Sequence, residues 1–233
     1  MCGIFGSNNL KTYEKLYIEN KKRGNFAYGS LYVCKDRSMY MRKEPGTVDL
    51  TGDYTWQEEY TRFLGHTQAP TSVQREYNPR TTHPFEDMYH IVAHNGVLEN
   101  YDDIVEDILI GHINSVDSSV IPGLISYLFD FPEECNGTDN TNAHKTEEMI
   151  SIEATCNIIK GTFACWIYSK LTGCTYLVRS GSTLFANYDT GDFSSTMVPG
   201  VCEEEVEQGV VYCVTDEGLA SCGNFDASSP FFL

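Results

Sequence analysis

The residues in this sequence best suited to chemistry are its first six, Met1-Cys2-Gly3-Ile4-Phe5-Gly6. Removal of the initiator methionine makes Cys2 the N-terminus, with a thiol and a free α-amine on one carbon. The amine titrates at about 7.7–8.0 and the thiol at about 8.5, so near neutral pH part of the amine is free to take the thiol proton, directly or through a water. That is a nucleophile carrying its own base. The same residues also read as the start of a buried strand with Cys2 as a small apolar filler, and six residues alone do not choose between the two.

The chain must then supply elements to position such a group. Ser7-Asn8-Asn9 offers an N-cap to a helix in which Leu10, Tyr13, Leu16 and Tyr17 recur at helical spacing up to Lys22. A glycine-punctuated turn, 23–29, leads into an alternating strand at 30–34, against which 39–41 can pair back. Residues 61–67 read as a strand ending before Pro70, followed by a hydroxyl- and proline-rich loop to Pro84. A short strand over 89–93 runs into His94-Asn95-Gly96, where Asn-Gly by itself signals a tight bend with positive φ.

Asn100 is placed to cap a helix with Tyr101, Ile104, Val105, Ile108 and Leu109 on one face, ending near Gly111. Ser115-Val116-Asp117-Ser118 reads as the capped start of a second helix through Val120, Leu124 and Leu128, with Asp117 an N-cap candidate. Residues 132–145 are polar and aperiodic and read as an exposed loop or insertion. A third helix over 147–160 precedes a strand at 162–168 and further strands at 174–178, 183–186, 193–197 and 210–214. Strands, helices, then more strands indicate a layered α+β fold with no linker marking a second domain.

Composition narrows the function. At 233 residues and 41% hydrophobic content, the chain can build a core without staples. A net charge of −17 disfavours nucleic acid as a partner, because phosphates would be repelled. No run of about 18 apolar residues and no signal-peptide pattern appear, which predicts no membrane span and a cytoplasmic protein. Nine cysteines without a Cys-x-x-Cys pair predict reduced, mostly buried thiols. Among the six histidines the one close spacing, His90-x-x-x-His94, falls on a stretch that reads as a strand, where residues four apart lie too far from each other to share a metal, so no metal and no cofactor are expected.

Taken in order, Cys-Gly-Ile-Phe-Gly at 2–6, Arg23-Gly24 with Gly29, Gly65-His66-Thr67, His83-Pro84-Phe85, His94-Asn95-Gly96 with Glu99-Asn100, Ser115-x-Asp117-Ser118 and Gly161-x-Phe163-Ala164 resemble the class II glutamine amidotransferase domain. Gly209-Val210-Val211-Tyr212 matches a strand near that domain's end, so the resemblance covers essentially residues 2–233. It implies an Ntn-hydrolase sandwich, two antiparallel sheets between helical layers. It also implies hydrolysis of L-glutamine to glutamate and ammonia through a Cys2 thioester. By the same resemblance Asn95 and Gly96 form the oxyanion hole and Asp117 holds the substrate ammonium. His66, Thr67 and the residue after them line the pocket, and Arg23, Gly24 and His94 support it.

One position departs from the pattern. The family's glucosamine-type motif is His-Thr-Arg, its arginine gripping the substrate α-carboxylate, and here the chain reads His66-Thr67-Gln68. Gln68 carries no charge for a bidentate contact. Three explanations stand open: Arg75 or Arg80 reaches in from the following loop, glutamine binds more weakly, or the amide substrate differs. The chain also ends about where a glutaminase domain would, which predicts a separate ammonia-accepting synthase subunit. The competing functions are an N-terminal-Cys acylase for another amide and a catalytically silent, glutaminase-like regulatory subunit.

Overall fold

The computed structural model describes residues 1–50, 60–69, 76–135 and 146–227. The strands in chain order are β1 (Gly3–Ser7), β2 (Ala27–Cys34), β3 (Met39–Pro45), β4 (Tyr60–Gln68), β5 (Phe85–Glu86), β6 (His90–Leu98), β7 (Gly161–Ser169), β8 (Thr175–Ser180), β9 (Phe185–Ala186), β10 (Phe193–Ser194), β11 (Glu204–Glu205), β12 (Val210–Thr215) and β13 (Gly218–Asn224). The helices are α1 (Leu10–Asn20), α2 (Tyr101–Asp107), α3 (Val120–Asp130) and α4 (Glu147–Ile158).

Two antiparallel sheets form, in the orders β11-β9-β10-β1-β4-β2-β3 and β13-β12-β8-β7-β6-β5. Strand alternation sends successive side chains of β1 to opposite faces. Ile4 packs with Leu31 and Leu64 against Ile91, Ala93, Trp166 and Leu177 of the second sheet, while Phe5 packs outward with Tyr13, Leu16 and Tyr17 of α1. The far face of the second sheet gives Val92, Phe163, Cys165 and Val178 to Ile121, Leu124, Ile125 and Ile152 of α3 and α4. The result is a four-layer αββα sandwich, the α+β class the sequence indicates. The Trp166 indole crosses the inter-sheet core to donate to the Gly65 carbonyl at 3.0 Å. Among the described residues, no helix is long and apolar enough to cross a membrane.

Several local readings are corrected. Asn95-Gly96 is no turn: β6 runs straight through it, paired residue by residue with β7 from His90↔Ser169 to Leu98↔Gly161. α2 stops at Asp107, short of Gly111. Ser115 caps nothing; Asp117–Ser119 form a 3-10 turn entered from Val116 that leads into α3, with no side-chain cap bond at either. The short strands β5 and β11 and the final strand β13 escape the sequence pattern. Of the loop read at 132–145, residues 132–134 form a 3-10 turn, and 136–145 lie outside the described residues. Of the nine cysteines, four are buried and five half-buried.

Asn100 precedes α2 but does not cap it with its side chain. Its amide instead donates to the Ile158 carbonyl at 3.0 Å and accepts from the Lys160 amide at 2.8 Å, tying the entry of α2 to the exit of α4. Asn100→Ala removes both bonds from a buried residue and is expected to cost about 1–3 kcal/mol. An unchanged urea midpoint would refute this.

Candidate active site

Cys2 sits immediately before β1, at the edge of the inter-sheet core, and is half-buried. Its backbone is held by the turn after α1: Arg23 Nε donates to the Cys2 carbonyl at 2.9 Å and Nη1 to the Ser195 carbonyl at 3.0 Å. Burial lowers the Arg23 pKa, with the nearby Cys2 acting in the opposite direction. The Met1 ammonium donates to the Arg23 carbonyl at 3.4 Å, and Met1 is 82% exposed.

Ser195 had no part in the sequence reading, yet it joins the two sheets at this point. Its amide donates to the Ile4 carbonyl at 2.8 Å, and its hydroxyl accepts from the Ile4 amide at 3.0 Å and from Asn95 Nδ2 at 3.2 Å. Asn20, also overlooked, is fully buried at the end of α1 and donates to Ser194 Oγ at 2.8 Å. The signal for both was a polar residue set among apolar strand or helix positions. Local sequence does not tell such a residue apart from a solvated one.

Along β6, Asn95 faces the first sheet while His94 faces the helices. The buried His94 ring donates from Nε2 to the Thr162 carbonyl at 3.3 Å and accepts at Nδ1 from the Ser118 hydroxyl at 2.7 Å. Burial lowers its pKa, the Asp117 carboxylate pulling more weakly upward. The folded state therefore resists a proton that the unfolded chain accepts near pH 6.5. The linked stability is full above about pH 6.5 and falls as the pH drops below it. Thermal midpoints are expected to decline from pH 6.5 to 5, with His94→Gln flattening part of that slope; an unaltered slope would contradict the assignment.

Gly96 has φ of +153°, and a Cβ there would lie 1.9 Å from the Thr162 carbonyl oxygen, so only glycine keeps this backbone in place. Asp117 is half-buried beneath the same strand end. Its Oδ2 accepts from the Leu98 amide at 3.0 Å and its Oδ1 from the Ser118 amide at 2.8 Å, which fixes the carboxylate at the rim of β6.

On β4, His66 is buried, donates from Nε2 to the His94 carbonyl at 3.2 Å and stacks on His83 at 3.9 Å between centroids. Thr67 turns the other way, its hydroxyl donating to the Asn20 carbonyl at 2.9 Å, so only its backbone is left to face the site. Gln68 is fully buried; its carbonyl accepts from the Phe26 amide at 2.9 Å, and a Cβ at Gly24 would lie 2.5 Å from the Gln68 carbonyl carbon. Gly24 thus lets the Arg23 turn close over the end of β4. Arg80 is exposed, its amide bonded to Asn78 and its carbonyl to Asn114. Arg75 lies outside the described residues.

The geometry thus gathers Cys2, Arg23, Gly24, His66, Gln68, His94, Asn95, Gly96 and Asp117 around one end of the sandwich. A 25% identical relative, the glutamine–fructose-6-phosphate aminotransferase of Photorhabdus laumondii, aligns over 200 residues, 82% of this chain and 31% of its own length. The chain is similar to the class II glutamine amidotransferase domain. It spans about a third of the length of the curated relatives it matches. The fold agrees: the glutamine phosphoribosylpyrophosphate amidotransferase of Bacillus subtilis superposes with a TM-score of 0.69 at 19% identity, over 95% of this chain and 49% of that one. A glutamine aminotransferase class-II domain protein from Silicibacter pomeroyi superposes over 97% of this chain and 99% of its own, with a TM-score of 0.51 at 12% identity. No protein-family model matches. These neighbours share the Ntn-type sandwich.

Proposed function

We propose that residues 2–233 form a glutaminase domain that hydrolyses L-glutamine to glutamate and ammonia, with Cys2 as nucleophile once Met1 is removed. The observation that carries this is the Ser195 hydroxyl, which accepts from both the Ile4 amide and Asn95 Nδ2 and so sets the Asn95 amide beside the strand that bears Cys2. In this reading the Cys2 α-amine takes the thiol proton and the sulfur attacks the amide carbon. The oxyanion is met by Asn95 Nδ2 and the Gly96 amide. The C–N bond breaks as the amine returns its proton, ammonia leaves, and water cleaves the thioester to glutamate and thiol. Asp117, already oriented by two backbone amides, accepts the substrate ammonium.

The ammonia acceptor is placed on a separate synthase. The relatives are named as aminotransferases and as a 7-cyano-7-deazaguanine synthase, which supports an ammonia-accepting reaction; in them the aligned part lies within one longer chain, so the separation of the two is the proposal's own step. The test is glutamate release from L-glutamine by the wild type and Cys2→Ala, with asparagine as control. Absence of Cys2-dependent release, even with a candidate synthase added, sinks the reading.

A further inference from the structure

Gln68 ends β4, is fully buried, and neither its Nε2 nor its Oε1 has a hydrogen-bond partner among the described residues. Its direction follows from alternation. Thr67 turns toward α1, so His66 and Gln68 both point into the gap between the sheets, where His66 meets the His94 carbonyl. β1 lies antiparallel with Gly3 opposite Thr67, so Cys2 and Gln68 are the next residues outward on adjoining strands. The Gln68 backbone is fixed by Phe26 and by the close approach of Gly24. A buried primary amide with both ends unpaired costs about 1–3 kcal/mol for each orphaned group, so it calls for a partner, which a water supplies in the free protein and a ligand can replace.

We propose that Gln68 sets specificity at the α-carboxyl end of the substrate, selecting a neutral α-carboxamide over a carboxylate. This rests on the glutamine-hydrolysing reading. In that reading Asn95 and Gly96 take the reacting amide and Asp117 takes the ammonium, and Gln68, next to Cys2 on the adjoining strand, is the buried polar side chain positioned for the α-carboxyl group. An amide presents a donor and an acceptor in one plane. A carboxamide ligand returns an acceptor and a donor and satisfies both ends. A carboxylate only accepts: it satisfies Nε2 and sets an anion against Oε1. Neither of the arginines described at this end supplies a counter-charge, since Arg23 donates to the Cys2 and Ser195 carbonyls and Arg80 is exposed. The carboxamide that meets both ends is a free α-amide, which has an N–H on the same side as its carbonyl; a trans peptide bond points the two apart and meets one end only.

The experiment compares kcat/KM for L-glutamine, L-glutamine α-amide and L-glutaminyl-glycine in the wild type, Gln68→Arg and Gln68→Met. The wild type is expected to favour the α-amide over glutamine by at least about 10-fold, and Gln68→Arg to shift that ratio about 100-fold toward glutamine, because a buried guanidinium requires an anion. Gln68→Met keeps the volume, removes no described bond and should narrow the ratio by weakening the α-amide without improving glutamine. Glutaminyl-glycine, whose trans peptide bond meets only one end of the Gln68 amide, is expected to fall below the α-amide, and equal kcat/KM for the two would overturn the two-bond pairing. A wild type that prefers glutamine, with a ratio unmoved by Gln68→Arg, overturns the proposal while leaving the glutaminase reading intact. Calorimetry on Cys2→Ala separates the two in the other direction. If the wild type turns over none of the three but Cys2→Ala binds the α-amide more tightly than glutamine, glutamine hydrolysis falls and the Gln68 assignment stands. Binding in the opposite order, or of neither ligand, overturns it.

Discussion

Protein that retains Met1 is expected to release glutamate from glutamine about 100- to 10,000-fold more slowly than protein beginning at Cys2, with the same thermal midpoint. Retention converts the Cys2 amine into a peptide nitrogen, which has no basicity near neutral pH, so the thiol loses its base and the leaving ammonia its proton donor. The Met1 amine is no substitute, because it is one residue removed and its ammonium is turned to the Arg23 carbonyl. The fold should not notice, since Met1 is 82% exposed and the bonds that hold Cys2 run to its carbonyl, which is present in either form. Expression with methionine aminopeptidase inhibited gives the blocked form, and intact mass assigns each preparation. Equal rates from the two forms would remove the α-amine from the mechanism and with it the N-terminal nucleophile reading.

The sequence reveals the parts of this site that are built from consecutive residues and hides those built across the sheets. Cys2 stands out because its place after Met1 lets a thiol and a free α-amine share one carbon, and α1 because its apolar spacing is regular. Asn95-Gly96 is misread because Asn-Gly is judged on local turn chemistry, whereas the β6–β7 ladder holds the pair extended from His90 to Leu98. Asp117 resembles a cap because it precedes a helix, yet its carboxylate is occupied by the Leu98 amide, 19 residues earlier. Ser195 bonds to Ile4 at a separation of 191 residues and to Asn95 at 100, and no local window contains those partners. For Gln68 the substitution is legible and its consequence is not, since burial without a partner is a property of the folded pocket.

Asn95→Ala is expected to lower kcat for glutamine by about 100- to 1000-fold with little change in KM, because a preorganised oxyanion donor acts on the transition state more than on bound substrate. The same amide also donates to Ser195 Oγ, so part of any loss could come from a loosened nucleophile strand. Ser195→Ala separates the two contributions. It removes the acceptor for both Ile4 and Asn95 but leaves the Asn95 donor in the site, and a strap of this kind is worth about 1 kcal/mol, or roughly fivefold in rate. Asn95→Asp keeps the shape and places a carboxylate where negative charge develops, so it should fall at least as far as alanine. If Ser195→Ala costs as much as Asn95→Ala, or if Asn95→Asp stays active, Asn95 acts by holding β1 to β6 and the oxyanion must be met elsewhere.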